Sequence, residues 1–143
     1  MAKLKAILVA VDGSQNSDRA VGHALDLMSG GLATELHFLN VQPNLGGAIS
    51  SFVSRQDIDS YHRDEGNKAL ASAVELARKA GVAATVHIGV GRQGAIVNDF
   101  ARKLGAGLIV LGTRGHTGLA GVLLGSVAQD VIAHVDAPVT LVK

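Results

Sequence analysis

The sequence predicts a doubly wound α/β fold: one parallel sheet of five strands with helices on both faces. Two observations carry this expectation. Apolar runs of strand length alternate with stretches whose apolar residues recur at helical spacing, in the order βαβαβαβαβ. Such alternation implies parallel strands joined by right-handed crossovers. The chain has 143 residues and is 48% hydrophobic but only 3% aromatic. Its core must therefore be built from Val, Leu, Ile and Ala, which suit helices packed on a parallel sheet. The length is that of one domain, expected to span residues 1–143 without a linker or internal repeat.

The elements follow in order. Lys5 to Val11 is an uninterrupted apolar run with branched residues and reads as a strand buried on both faces. Asp12-Gly13-Ser14 breaks it. Ser14 or Ser17 then caps a helix to about Ser29, with Val21, Ala24, Leu25 and Met28 on one face. Gly30-Gly31 stops it. Glu35 to Val41 is a second strand. Gln42 to about Ser54 is rich in Gly and Ser and reads as an irregular loop, long enough to be functional. A helix from about Asp57 to Ala80, ended by Gly81, leads to a third strand from Ala84 to Val90. Ile96, Val97, Phe100, Ala101 and Leu104 mark a helix from Ala95 to Leu104, stopped by Gly105-Ala106-Gly107. Leu108 to Leu111 is the most apolar run and reads as a central strand. After a glycine-rich stretch come a last helix, Ser126 to about His134, and a last strand from Pro138 to Val142. A proline at its start suits a strand beginning or a sheet edge.

Composition excludes several classes. The net charge is +1 with both signs mixed along the chain, so nothing favours nucleic acid or an anionic membrane. Without cysteine there is no disulfide framework, thiolate zinc site or thiol nucleophile. The start, Met1 to Lys5, leads into only a short apolar run, unlike a signal peptide. No apolar stretch is long enough to span a bilayer. A cytoplasmic location is the expectation.

The chemistry is carried by the stretch from Gly112 to Ser126. Five glycines fall within 14 residues, between a buried strand and a helix. Glycine costs backbone entropy and needs a reason to be there. One reason is positive φ, which lets successive N–H groups converge on an anion. The other is the missing Cβ, which lets phosphate oxygens approach the main chain. Ser126-x-x-Gln129 has the form of a capping box, and the helix it opens offers unpaired N–H groups and a positive dipole to an anion. Arg114 adds a forked cation. The plain alternative is a connecting turn. Gly-Lys-Ser/Thr is absent, so this is not a P-loop.

Gly112-x-x-Gly115, nine residues, then Gly125-Ser126 resembles the nucleotide loop of the universal stress protein family. Val9-Ala10-Val11-Asp12-Gly13-Ser14 resembles that family's first strand and turn, Leu108 to Gly115 its fourth strand, and Ala137 to Val142 its last. The resemblance covers nearly the whole chain. It implies a sheet order of 3-2-1-4-5, with Asp12 and Gly112 facing across the crevice where ligands of such sheets bind. It implies that Asp12 contacts adenosine, that Val41 contacts adenine through its backbone, and that Gly112, Arg114, Gly115, Gly125, Ser126 and Val127 surround ribose and phosphates. From the residues alone, Asp12 also reads as a turn acid and Val41 as a buried strand residue.

Gly89-Val90-Gly91-Arg92-Gln93-Gly94 is a literal G-x-G-x-x-G between strand and helix. It follows the third strand rather than the first, and the next strand ends without an acid for a ribose. The family often has proline here, where this chain reads Arg92-Gln93-Gly94. Among six histidines, none is paired at the spacing of a zinc helix. His116 lies in the glycine loop, near enough for a phosphate or simply solvated. His37 and His87 fall in strands as edge or face residues. Asp57, Asp59, Asp64 and Glu65 suit a helix start and a solvated face.

The leading expectation is a stress-response regulatory protein that binds ATP, or AMP or ADP, with or without Mg²⁺. The resemblance implies a homodimer, and the short apolar last strand, Val139 to Lys143, is the expected pairing edge. Two alternatives stand beside it. One is a slow Mg²⁺-dependent ATP hydrolase or phosphotransferase, for which only Asp12 is placed and no base is evident. The other is a nucleotide-free dimeric interaction protein. No catalytic residue and no protein metal ligand is assigned.

Overall fold

The computed structural model describes residues 3–115 and 124–143. The expectation for His116, and the parts played by Gly118 and Gly121, lie outside the described residues. The elements are β1 (Leu4–Ala10), α1 (Gln15–Ser29), β2 (Ala33–Gln42), α2 (Gly47–Ser50), α3 (Arg55–Ala80), β3 (Thr85–Val90), α4 (Gln93–Leu104), β4 (Ala106–Gly112), α5 (Ser126–His134) and β5 (Val139–Val142). All strand pairs are parallel, in the order β3-β2-β1-β4-β5. This is the expected doubly wound sheet.

Strand alternation divides the core into two layers. Ile7, Val9, Phe38 and Val110 point toward α1 and α3, meeting Val21, Ala24, Leu70 and Ala73. Leu8, Leu39, Ile109 and Leu111 point the other way and meet Val97 and Ala101 of α4 and Ala128 and Val131 of α5. Ala6 to Val9 are completely buried, as an apolar run without alternation requires. Each such aliphatic side chain contributes about 1.5–3 kcal/mol on burial.

Local chemistry sets the boundaries. Ser14 caps α1, its side chain accepting from the Ser17 N–H at 3.1 Å. Ser54 does the same for α3 through the Asp57 N–H at 3.1 Å, so that helix begins at Arg55, ahead of the expected Asp57. The segment expected to be irregular contains the single turn α2. Gly81 and Gly105 close α3 and α4 in the left-handed conformation, where glycine has no Cβ penalty. Ala106 and Gly107, expected to finish a helix stop, already belong to β4.

Two contacts under the α4–α5 layer stand out. The Gly94 N–H donates to Asp130 Oδ2 at 2.7 Å, and Arg92 and His134 lie within 3.1 and 3.2 Å of Oδ1. The Gly94 N–H bond, then the two cations, hold the Asp130 carboxyl below its ordinary value against the opposing effect of burial. A Cβ on Gly94 would meet the Asp130 carbonyl oxygen at 2.5 Å, and two helix backbones have no freedom to part. On the same side of the sheet, His37 Nδ1 and His87 Nε2 are 3.0 Å apart. Their rings stack at 5.2 Å, and Phe100 lies 5.3 Å from His87. Burial, then the neighbouring His37, pushes the His87 imidazole down. His37 is a face residue, as expected, and a buried one: its Nε2 has no hydrogen-bond partner, although Glu35 Oε1 lies 3.6 Å away.

Two outcomes follow from these contacts. Gly94→Ala overpacks the α4–α5 crossing and costs about 1–3 kcal/mol, lowering the melting temperature by several degrees. A thermal melt indistinguishable from wild type would refute the close approach. His87 has a folded value below its unfolded value of about 6.5, so its contribution is complete above pH 6.5 and is lost as pH falls from there toward the lowered folded value. Urea unfolding between pH 7.5 and 5.5 should show a steeper loss for wild type than for His87→Gln; parallel curves would exclude it.

Candidate functional site

The site grows from the point where the sheet reverses order. From β1 the chain crosses to β2 on one side, and from β4 it crosses to β5 on the other. The connections part at the carboxyl ends of β1 and β4 and leave a crevice between them, where ligands of such sheets bind. A cleft of about 280 Å³ opens there. Asp12, Val41, Gly112, Arg114, Gly115, Gly125, Ser126 and Val127 all line it, so the structure brings every expected site residue to one place.

The cleft has two chemically distinct ends. Ala10, Val11, Leu39, Val41, Leu111 and Ala128 form an apolar slot. The other end is backbone from β4 and the start of α5. Ser126 and Val127 are the first residues of α5, and N–H groups in a first turn have no intrahelical acceptor. That end is suited to an anion. Arg114 stands exposed beside it. Asp12 is the only carboxylate lining the cleft among the described residues. Its Oδ1 accepts from the Ser14 N–H at 2.9 Å, and its own N–H donates to Ser17 Oγ at 3.1 Å. Gly13, at φ +82°, makes the turn that presents it.

Two local expectations are corrected. Gly112, Gly115 and Gly125 do not have positive φ; the missing Cβ is what they supply. A Cβ on Gly112 would run into the Asn16 amide, one on Gly115 would lie 3.0 Å from Asp12 Oδ2, and one on Gly125 would lie 3.3 Å from the Thr113 carbonyl. Nor does Ser126 form a capping box. Gly125 occupies the N-cap with no side-chain bond, and Ser126 is already helical. That shift of one residue puts Gln129 beyond reach of the pattern, and its Nε2 donates to the Leu124 carbonyl at 2.9 Å.

Asn16 is absent from the sequence expectation, and it holds the loop. It is 6% exposed. Its Oδ1 accepts from the Arg114 N–H at 2.7 Å, and its Nδ2 donates to the Val142 carbonyl at 3.0 Å. Val142 also accepts from the Thr113 N–H at 2.9 Å, and the Thr113 carbonyl accepts from the Gly125 N–H at 2.6 Å. One amide thus joins α1, the end of β4 and the end of β5, while Gly125 ties the two flanks of the glycine stretch together. Nothing in the sequence distinguishes Asn16 from any polar residue in a first helical turn. Gln93 is the second residue missed. Its signal was present, as the departure from the family's proline, but its direction was not: its Nε2 donates to the Val41 carbonyl at 3.1 Å. Asn40 completes this wall, donating from Nδ2 to the Val11 carbonyl at 2.7 Å.

The Gly89 to Gly94 pattern is not a phosphate loop. A Cβ on Gly89 would strike Ile96, Gly94 is pressed on α5, and Gly91 has φ +144°. The Gly94 N–H at the start of α4, where a pyrophosphate would sit, is taken by Asp130. Among the described residues no group of three or more His, Asp or Glu side chains is placed to hold a metal, and no helix is long and apolar enough to cross a membrane.

The model of the Universal stress protein family matches residues 3–143. Universal stress protein MJ0531 of Methanocaldococcus jannaschii is 34% identical over 141 residues, covering 97% of this chain and 82% of that protein. The structure of the universal stress protein from Archaeoglobus fulgidus in complex with dAMP is similar at a TM-score of 0.69 and 28% identity, over 97% of this chain and 98% of that one. A universal stress protein in complex with cAMP is similar at a TM-score of 0.74 and 26% identity, over 99% of both chains.

The Asn16 clamp makes a separate forecast. Asn16→Ala leaves the Arg114 N–H and part of the Val142 carbonyl without a buried partner, a loss of about 1–3 kcal/mol. Amide hydrogen exchange should accelerate at Arg114 more than at core strand β1. Unchanged exchange at Arg114 would show that the clamp does not order the loop.

Proposed function

This chain belongs to the universal stress protein family, and from that premise we propose that it binds an adenine nucleotide, ATP foremost, in the β1–β4 cleft as a single-domain regulatory module. One observation carries the reading: a slot walled by aliphatic side chains and the open first turn of α5 belong to the same cleft. A base needs the first and phosphates need the second. The base lies among Leu39, Val41 and Leu111, near the Val41 backbone. Asp12 takes the ribose hydroxyls. Gly112, Gly115 and Gly125 leave the main chain bare for the phosphates, with Arg114, Ser126 and Val127 around them. Relatives crystallised with dAMP and cAMP support an adenine nucleotide as the ligand class. Mg²⁺ would arrive on the phosphates, as that ion commonly does.

The reading extends to assembly. β5 is a sheet edge, and Leu141 on it is 38% exposed. Pairing of two Val139–Lys143 edges in a homodimer would cover it. The protein acts in the cytoplasm by changing partner contacts according to its bound nucleotide. Turnover is not part of the proposal, because hydrolysis needs a positioned water, a base and neutralisation of the γ-phosphate, and Asp12 is assigned to the ribose.

The test is retention. Protein purified without added nucleotide, then denatured, should release an adenine nucleotide detectable by mass spectrometry. Gly115→Val combined with Gly125→Val should abolish this while far-ultraviolet circular dichroism is preserved. Saturating ATP, at about 100 times its dissociation constant, should stabilise wild type by about 2.7 kcal/mol and leave the double variant unmoved. Equal retention by both proteins would remove the phosphates from this loop.

A further inference from the structure

Gln93 puts a side-chain amide at the apolar end of the cleft. It is the first residue of α4 and partly buried, and its Nε2 donates to the Val41 carbonyl at 3.1 Å. The side chains of Ala10, Leu39 and Leu111 in the same cleft offer no hydrogen bond, and the Asn40 amide there is engaged by the Val11 carbonyl and by Gln42. Purines of the two common kinds differ along one edge: one carries an amino donor at the six-position beside a bare N1, the other an oxo acceptor beside an N1–H. A main-chain carbonyl can only accept, so Val41 alone would favour the amino form and oppose the oxo form. A carboxamide on a rotatable stem both donates and accepts.

Resting on the nucleotide reading above, we propose that Gln93 reads the six-position of the base and opens the cleft to 6-oxo as well as 6-amino purine nucleotides. With a 6-amino base, the amino group donates to the second lone pair of the Val41 carbonyl, and Gln93 stays where it is. With a 6-oxo base, the Gln93 amide turns from Val41 and donates to the oxo group. It thereby removes the opposition between two carbonyl oxygens. A proline at this position, common in the family, has neither donor nor acceptor in its side chain.

The experiment is isothermal titration of wild type, Gln93→Met and Gln93→Leu with ATP and with ITP, which differ only along the base edge formed by N1 and the six-position. Wild type should bind the two within about tenfold of each other. Both variants should lower the affinity for ITP relative to ATP by at least about tenfold, because neither a thioether nor an aliphatic side chain can donate to the oxo group. Methionine is as long and unbranched as glutamine and a good helix former, so Gln93→Met keeps the test alive if the leucine variant fails to fold. Wild-type discrimination above tenfold, or one common ratio in all three proteins, would overturn the role of Gln93 while leaving the nucleotide site standing. Binding of neither nucleotide to wild type would overturn the site itself, and this inference with it.

Discussion

The site depends on the parting of the chain between β1 and β4. Right-handed crossovers oblige the helix after β1 and the helix before β5 to lie on opposite faces of the sheet. Among the described residues, the carboxyl ends of these two strands open on the cleft. The crevice is thus a consequence of topology before any side chain is considered. The fold keeps it rigid because β1 is sealed on both faces, with Ile7, Leu8 and Val9 fully buried. Gly112 ends β4 and Asp12 follows β1 by two residues, and β1 and β4 are paired up to Val9 and Val110, which brings the two residues to the same end of the sheet.

Glycine does two kinds of work here. Gly13, Gly81 and Gly105 supply left-handed backbone. Gly112, Gly94 and Gly89 supply room: each lies where a Cβ would meet another group, the Asn16 amide, the α5 backbone or the Ile96 side chain. Sequence spacing cannot separate these uses, because both are written with the same letter. Of the two reasons the sequence offered, positive φ and a missing Cβ, Gly112, Gly115 and Gly125 use the second.

The starts of α4 and α5 show how tertiary context divides two similar signals. Both helices follow glycine-bearing strand ends. At α4 the anion is internal, since Asp130 reaches the Gly94 N–H and is held there by Arg92 and His134. At α5 no carboxylate from the protein fills that place among the described residues, and the amides face the cleft. The same dipole effect therefore staples two helices together in one case and in the other is turned toward the cleft that Ser126 and Val127 line.

The sequence by itself determined the strand order along the chain, all the helices but α2, the two-faced burial of β1 and the α1 and α5 extents, and its resemblance to the family supplied eight of the residues that line the cleft. Apolar runs and caps are local, and local chemistry is readable in a chain. The glycine spacing with Asp12 was also legible, because backbone approach tolerates few residue types. Only the tertiary structure decided what Asn16, Gln93 and Asp130 do. Each is an ordinary polar residue until a partner 36 to 126 positions away arrives beside it: Gly94 for Asp130, Val41 for Gln93, Val142 for Asn16. A hydrogen bond over that span has no signature in the sequence. It exists only when the sheet has brought its two ends together.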